Sequence, residues 1–248
     1  MGKADLHAHT CHDSWGDGNQ GVEELFRYVE EETDLALFAI TDHDSTDAAR
    51  AGWEIHQRGG YRFDYLPGVE VTNLAGHLLC YFPDGRISDI PSLRPFWWTV
   101  QYAQERGAIC IPAHPVYPPW LQRTIAHGLD RGLRLQGLEA INAAIPRAAQ
   151  VKLDQLAGRM SGRLSMVANS DAHDETSLGS AYTEFPGETR EDFLAALRDD
   201  TTRPVFVRQS ELHPAARAFT TRRSMTRPGW VRNIWREAAN RTIRRMPL

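Results

Sequence analysis

Cysteine is scarce in this chain. Only Cys11, Cys80 and Cys110 occur in 248 residues, widely spaced and without a Cys-x-x-Cys pair. That pattern excludes a disulfide scaffold and points to a reducing compartment. Long apolar runs are lacking too, so no segment reads as a bilayer span. No secretory leader precedes Asp5, and the expected location is the cytoplasm. No internal repeat or low-complexity linker interrupts the first 210 or so residues. What remains is a chain with the composition of a globular protein, long enough to form one α/β barrel domain.

The charge is unevenly spread. From Arg217 to Leu248 nine arginines face a single acid, Glu237, while the whole chain carries −4, so the part before Arg217 is strongly acidic. Acidic ligands holding divalent cations would neutralise much of that excess.

Short apolar runs alternate with helical patterns. Residues 4–9, Leu35–Ile40, Tyr65–Val71, Ala108–Pro115, Gly137–Asn142, Leu164–Asn169, Ala181–Phe185 and Pro204–Val207 read as strands. Gly76–Phe82 reads as a hairpin or edge partner of the third. Helices are expected from Val22, from near Thr46 with Asp44 or Ser45 as cap, and over 93–105, 147–160 and 191–198. The alternation predicts a parallel α/β sheet or barrel.

Polar residues collect where the apolar runs end: His7 and His9, His43, Glu70 followed by His77, His114, and Asp171 with His173. His7 and His9 are two apart, so on a strand they face the same way. One such histidine is unremarkable; five strand ends carrying imidazole or carboxylate point to a metal site. Imidazole with carboxylate suits Zn, Fe or Mn, and no cysteine occupies a ligand position. The set is too large for one tetrahedral ion and suits two or three divalent ions.

The segments Asp5-Leu6-His7-Ala8-His9-Thr10, Ile40-Thr41-Asp42-His43-Asp44, Pro67-Gly68-Val69-Glu70, Ala113-His114-Pro115 and Ser170-Asp171-Ala172-His173 resemble, in order, the motifs of the PHP (polymerase and histidinol phosphatase) superfamily. The resemblance covers residues 4–207 and is strongest to stand-alone PHP phosphoesterases. It implies a distorted (β/α)7 TIM-like barrel over residues 1–210, with residues 211–248 as a basic, partly helical C-terminal extension. It implies that His7, His9, Glu70 and Asp171 share one ion. Glu70 would bridge to a second ion with His114 and His77. His43, His173 and a carboxylate of the first loop would hold a third. The family places that acid five residues after its second histidine, where this chain has Ser14 in a longer loop; Asp17 fits the spacing to the next helix, and Asp13 is the alternative. The implied activity is hydrolysis of phosphate esters, nucleotide or short oligonucleotide phosphates foremost, by a metal-bound water. The alternatives are an amidohydrolase-like enzyme acting on a substrate without phosphate and a non-catalytic module.

Other residues invite secondary roles. Asp5 and Asp42 are candidates to orient neighbouring histidines, and Asp44 is a candidate general acid or a helix cap. Arg147 and Asn142, past the fifth strand run, are candidate phosphate contacts, as is Arg123. Tyr117, Trp120, Phe96, Trp97 and Trp98 can stack a base or simply pack. The expected partner is a phosphorylated small molecule or short nucleic acid, and no stable protein partner is implied. In the tail, Val231, Ile234, Trp235 and Ala238 make a helical stripe among arginines. It reads as packing on the barrel, as a membrane-peripheral contact with anionic lipid, or as a nucleic-acid contact.

Overall fold

A computed structural model describes residues 1–12, 18–116 and 120–207. These lie within the unit Met1–Arg208; the basic tail lies outside them. Strands β1 (Gly2–Asp5), β2 (Leu37–Phe38) and β3 (Asp64–Tyr65) are parallel neighbours. β4 (Gly68–Asn73), β5 (Gly76–Tyr81) and β6 (Ile109–Ala113) form an antiparallel sheet, and β7 (Gly137–Asn142) pairs parallel with β8 (Ser165–Asn169). β9 (Ala181–Phe185) joins β1 antiparallel and is flanked by β10 (Arg203–Phe206). Helices α1 (Val22–Glu32), α2 (Asp47–Gln57), α3 (Phe96–Gln104), α4 (Leu121–Asp130), α5 (Arg147–Met160) and α6 (Arg190–Asp199) lie between them in the chain.

The architecture is mixed α/β, but it departs from the expected barrel. Among the described residues the strands form three hydrogen-bonded sheets, not one closed ring, and two of them contain antiparallel pairs. The run expected over Tyr65–Val71 splits at Pro67, which has no N–H to give to a ladder. Elsewhere side chains stand where ladder bonds would be. Between β6 and β7 the Gln136 side chain accepts from Cys110 N–H at 2.7 Å, and Gln136 N–H donates to Cys110 C=O. Between β8 and β9 the Thr183 hydroxyl accepts from Ala168 N–H and donates to Ala168 C=O. Between β8 and β1 Asn169 Oδ1 accepts from Leu6 N–H.

The apolar interior explains why the sheets stay together. Leu6, Leu37, Leu79, Ile111 and Val167 come from all three sheets and meet in one buried cluster. A second cluster packs α3, α4 and α5 against β4–β8, and a third packs α1 and α2 against the first sheet. β4 and β5 are buried at every residue, as strands covered on both faces must be. Among the described residues no helix is long and apolar enough to cross a membrane.

Candidate metal centre

β1 ends at Asp5, earlier than the expected residue 9, and the chain continues extended through His7 and His9. Two backbone bonds hold it there: His9 N–H to Ala172 C=O at 2.8 Å and Ala172 N–H to His7 C=O at 3.2 Å. Those bonds bring Asp171 and His173 beside the first two histidines. His43 follows β2 and forms a parallel bridge with Glu70 of β4. His77 is the second residue of β5, and His114 directly follows β6. All eight residues are buried.

The carboxylate of Glu70 is the hub. Its Oε2 lies 3.0 Å from His7 Nε2, 3.3 Å from His9 Nε2 and 3.2 Å from His43 Nδ1. Its Oε1 lies 2.8 Å from His77 Nδ1 and 3.1 Å from His114 Nε2. Each oxygen therefore serves a different set of imidazoles, as a bridging carboxylate does. Asp171 Oδ1 is 3.4 Å from His7 Nε2 and 3.2 Å from His9 Nε2. Four overlapping groups result: His7, His9 and Glu70; His7, His114 and Asp171; His43, Glu70 and His77; His9, His43 and His173.

These donors fit divalent ions. Within each group the ligand atoms lie within 4.8 Å of one another. Two ligands on opposite sides of a Zn-sized ion are about 4.2 Å apart and tetrahedral neighbours about 3.4 Å, from bond lengths near 2.1 Å. The donors are imidazole and carboxylate. Cys80 and Cys110 are buried in the core cluster and Cys11 is exposed.

The electrostatics show how strongly the cluster seeks positive charge. Burial pushes the Glu70 carboxyl up, but His43, His7 and His77 around it hold it well below the ordinary carboxylate range. Asp171 is likewise lowered, its burial outweighed first by His7. Burial pulls the imidazoles down, yet the carboxylates override it: His9 rises to about 10 and His114 to about 9, while His7 is also held well above its ordinary range. In the metal-free protein protons take the place that cations would fill.

Three strand-end residues hold left-handed backbone: Asp44 at φ 54°, His114 at 30° and Asp171 at 54°. Such angles cost energy in a residue with a Cβ and cluster at functional sites. Asp44 is not the cap of α2, which Thr46 occupies. Instead Asp44 Oδ1 accepts from Thr72 N–H at 2.7 Å, and burial holds its carboxyl above the ordinary range.

The supporting roles differ from those expected. Asp5 reaches no histidine ring by a hydrogen bond; it accepts from the backbone N–H groups of Ser170 and Gly179. Asp42 takes both the N–H and the hydroxyl of Thr10. Each ties backbone near the site together because a buried carboxylate needs donors and these N–H groups are the nearest. Asn142 is buried, donates to Glu139 and Asp171 Oδ2, and accepts from Ala144 and Ile145 N–H. These bonds tie it to Asp171 and to the turn that follows β7. Arg147 is exposed at the first turn of α5, and Arg123 is exposed on α4. Trp98 stacks on Tyr102, Phe96 is in the core, and Trp97 and Trp120 are exposed. Asp13, Asp17 and Tyr117 lie outside the described residues. At Gly18 an added Cβ would overlap the Thr10 C=O, so that close approach needs glycine. Glu139 was not among the expected site residues, yet it bonds to His7 Nδ1 at 3.0 Å. A single acid inside an apolar run gave no spacing signal that would have found it.

The PHP-associated family model matches residues 157–202, which include Asp171 and His173. No curated protein matches the chain. A two-domain protein from Bacteroides vulgatus containing a predicted PHP-like metal-dependent phosphoesterase superposes with a TM-score of 0.63 at 18% identity. The match covers 83% of this chain and 64% of that one, so the chain spans under two thirds of that protein's length. An amidohydrolase from Chromobacterium violaceum with bound sulfate and no metal gives 0.57 at 17% identity, over 82% of this chain and 97% of that one. A lesion-specific endonuclease from Pyrococcus furiosus gives 0.55 at 19% identity, over 79% and 56%. The structural likenesses show the fold, shared with a PHP-like metal-dependent phosphoesterase among others, and the PHP-associated match falls on the segment that carries Asp171 and His173.

Proposed function

We propose that the protein is a metal-dependent phosphoesterase acting on phosphate esters, with nucleotide or short oligonucleotide phosphates as the favoured substrates. The observation that carries this reading is the arrangement around Glu70, whose two oxygens face separate sets of imidazoles. His7, His9, His43, Glu70, His77, His114, Asp171 and His173 would hold two or three divalent ions, with Asp17 or Asp13 as a further ligand. When bound, such ions acidify a water and neutralise charge on the phosphoryl oxygens. The chain's own residues do the rest. The buried carboxylates and rings would hold the ions, Asp44, partly buried next to His43, would protonate the leaving oxygen, and Arg147, exposed at the first turn of α5, would meet the phosphate. The PHP-like phosphoesterase and the endonuclease of similar fold support phosphate chemistry.

The fold reading that accompanies this is a distorted barrel interrupted at the side-chain seams, spanning residues 1–210. Residues 211–248 form a basic extension whose arginines suit phosphate-bearing partners. The expected result is phosphate release from bis(p-nitrophenyl) phosphate or nucleotide esters by Mn²⁺-loaded protein. The doubly substituted His7→Ala, Asp171→Ala protein should lose that activity along with bound metal. Metal-replete protein inert on mono- and diesters would sink the reading. A second reading, an amidohydrolase-like enzyme, draws on the likeness to the Chromobacterium violaceum protein. Turnover on a panel of amides and esters lacking phosphate would favour it.

A further inference from the structure

Glu139 is the third residue of β7 and is completely buried. The neighbouring Leu138 packs in the apolar core. A carboxylate in such surroundings is costly unless donors surround it, and four do. Oε1 takes the ring N–H of His7 at Nδ1 (3.0 Å) and the Asn169 amide (2.8 Å). Oε2 takes the backbone N–H of His114 (2.6 Å) and the Asn142 amide (3.0 Å). The four donors come from four separate stretches of chain: the end of β1, the end of β6, β7 itself and β8.

Two of these bonds bear on the metal centre. A carboxylate can only accept, so a hydrogen bond to His7 Nδ1 requires the proton there. The lone pair of the neutral ring is then on Nε2, the nitrogen that faces Glu70 and Asp171. The His114 bond acts on backbone: it anchors the N–H of a residue held at φ 30°, from which the ring reaches Glu70 at 3.1 Å. One side chain thus selects the ligating nitrogen of one histidine and pins the strained strand end that carries another.

We propose that Glu139 is a positioning residue of the metal centre, fixing the Nε2-ligating tautomer of His7 and the backbone of His114. The inference rests on the metal-centre reading above. Its chemistry predicts a specific failure for Glu139→Gln. An amide presents one oxygen and one NH₂ group, and in either orientation the NH₂ meets two donors. If it faces His7, the ring must accept at Nδ1, and Nε2 becomes protonated and unable to bind an ion.

The test uses the full chain with ¹⁵N-labelled histidine, loaded with Zn²⁺. Two-bond ¹H–¹⁵N spectra of the wild-type protein should show His7 protonated at Nδ1 and metal-bound at Nε2. Zn²⁺ affinity, measured by competition with a chromogenic chelator, should fall 10–100-fold in Glu139→Gln, the usual effect of losing a carboxylate behind a ligating histidine. His7 bound through Nδ1 in the wild type overturns the proposal, even if the variant does not fold. A folded Glu139→Gln protein with unchanged affinity overturns it too. Wild-type protein that takes up no Zn²⁺ overturns the metal-centre reading itself, and this inference with it.

Discussion

At the scale of single residues the site is a problem in charge placement. Glu70 and Asp171 are buried with six imidazoles, and neighbours satisfy them only if positive charge is present. Asp44 sits differently. It neighbours His43, is only partly buried, and spends one oxygen on Thr72 N–H. Substituting Asp44→Asn preserves that acceptor but removes the proton that a leaving oxygen needs. The expected outcome is unchanged metal content with kcat lowered about 10²–10⁴-fold, the range for loss of a general acid. The loss should be smallest on p-nitrophenyl esters, whose leaving group needs little protonation. Equal losses on nitrophenyl and alkyl phosphates would assign Asp44 to scaffolding alone.

At the scale of elements, the seams between sheets are the distinctive feature. Thr183 bridges β8 and β9 with one hydroxyl that satisfies both the N–H and the C=O of Ala168. Thr183→Val keeps the shape and strands both buried groups, at about 1–3 kcal/mol for each unsatisfied group. Urea denaturation should show a loss on the order of 2 kcal/mol with m unchanged; a loss below 0.5 kcal/mol, on the scale of an ordinary surface substitution, would mean that the seam is held by packing. These seams also mark where sequence reading loses its grip. Apolar runs announce strands, and α5 falls over Arg147–Met160 as its pattern predicts. The direction of β9 depends on partners far along the chain, which periodicity does not carry, whereas the break at Pro67 is local and follows from its missing N–H. Helix α4 is not among the helices expected from the sequence. It has no acid in its first turn, no side-chain cap and a glycine at position 128, so its start carries none of the usual signals, although His127 and Gly132 mark its end. The histidines were legible because they end apolar runs; Glu139 was not, because it lies within one.

At the scale of the whole molecule, proton and metal compete for one centre. His9 and His114 have folded pKa values of about 10 and about 9, above the ordinary 6.5. A raised histidine stabilises the fold fully below the ordinary value, and the contribution is lost as pH climbs through the folded one. Metal-free protein should therefore lose stability between about pH 6.5 and 10. Metal requires neutral imidazole, so its stabilising effect should grow across the same window. Thermal unfolding from pH 6 to 8.5, with EDTA and with Zn²⁺, should give a Tm gap that widens with pH. A gap that narrows would contradict the assignment of His9 and His114 as ligands.

The bonds joining His7 and His9 to Ala172 also have a consequence in time. His7 and His9 leave the ribosome well before the segment they bond to, since Ala172 follows His9 by 163 residues (172 − 9). At roughly 5–20 residues per second, that is a wait of about ten to thirty seconds. Throughout it the nascent chain carries two histidines with no Asp171 to face them. The centre is assembled only once the PHP-associated segment has been translated, so a chain terminated before residue 171 would carry most of the ligands and none of the closure.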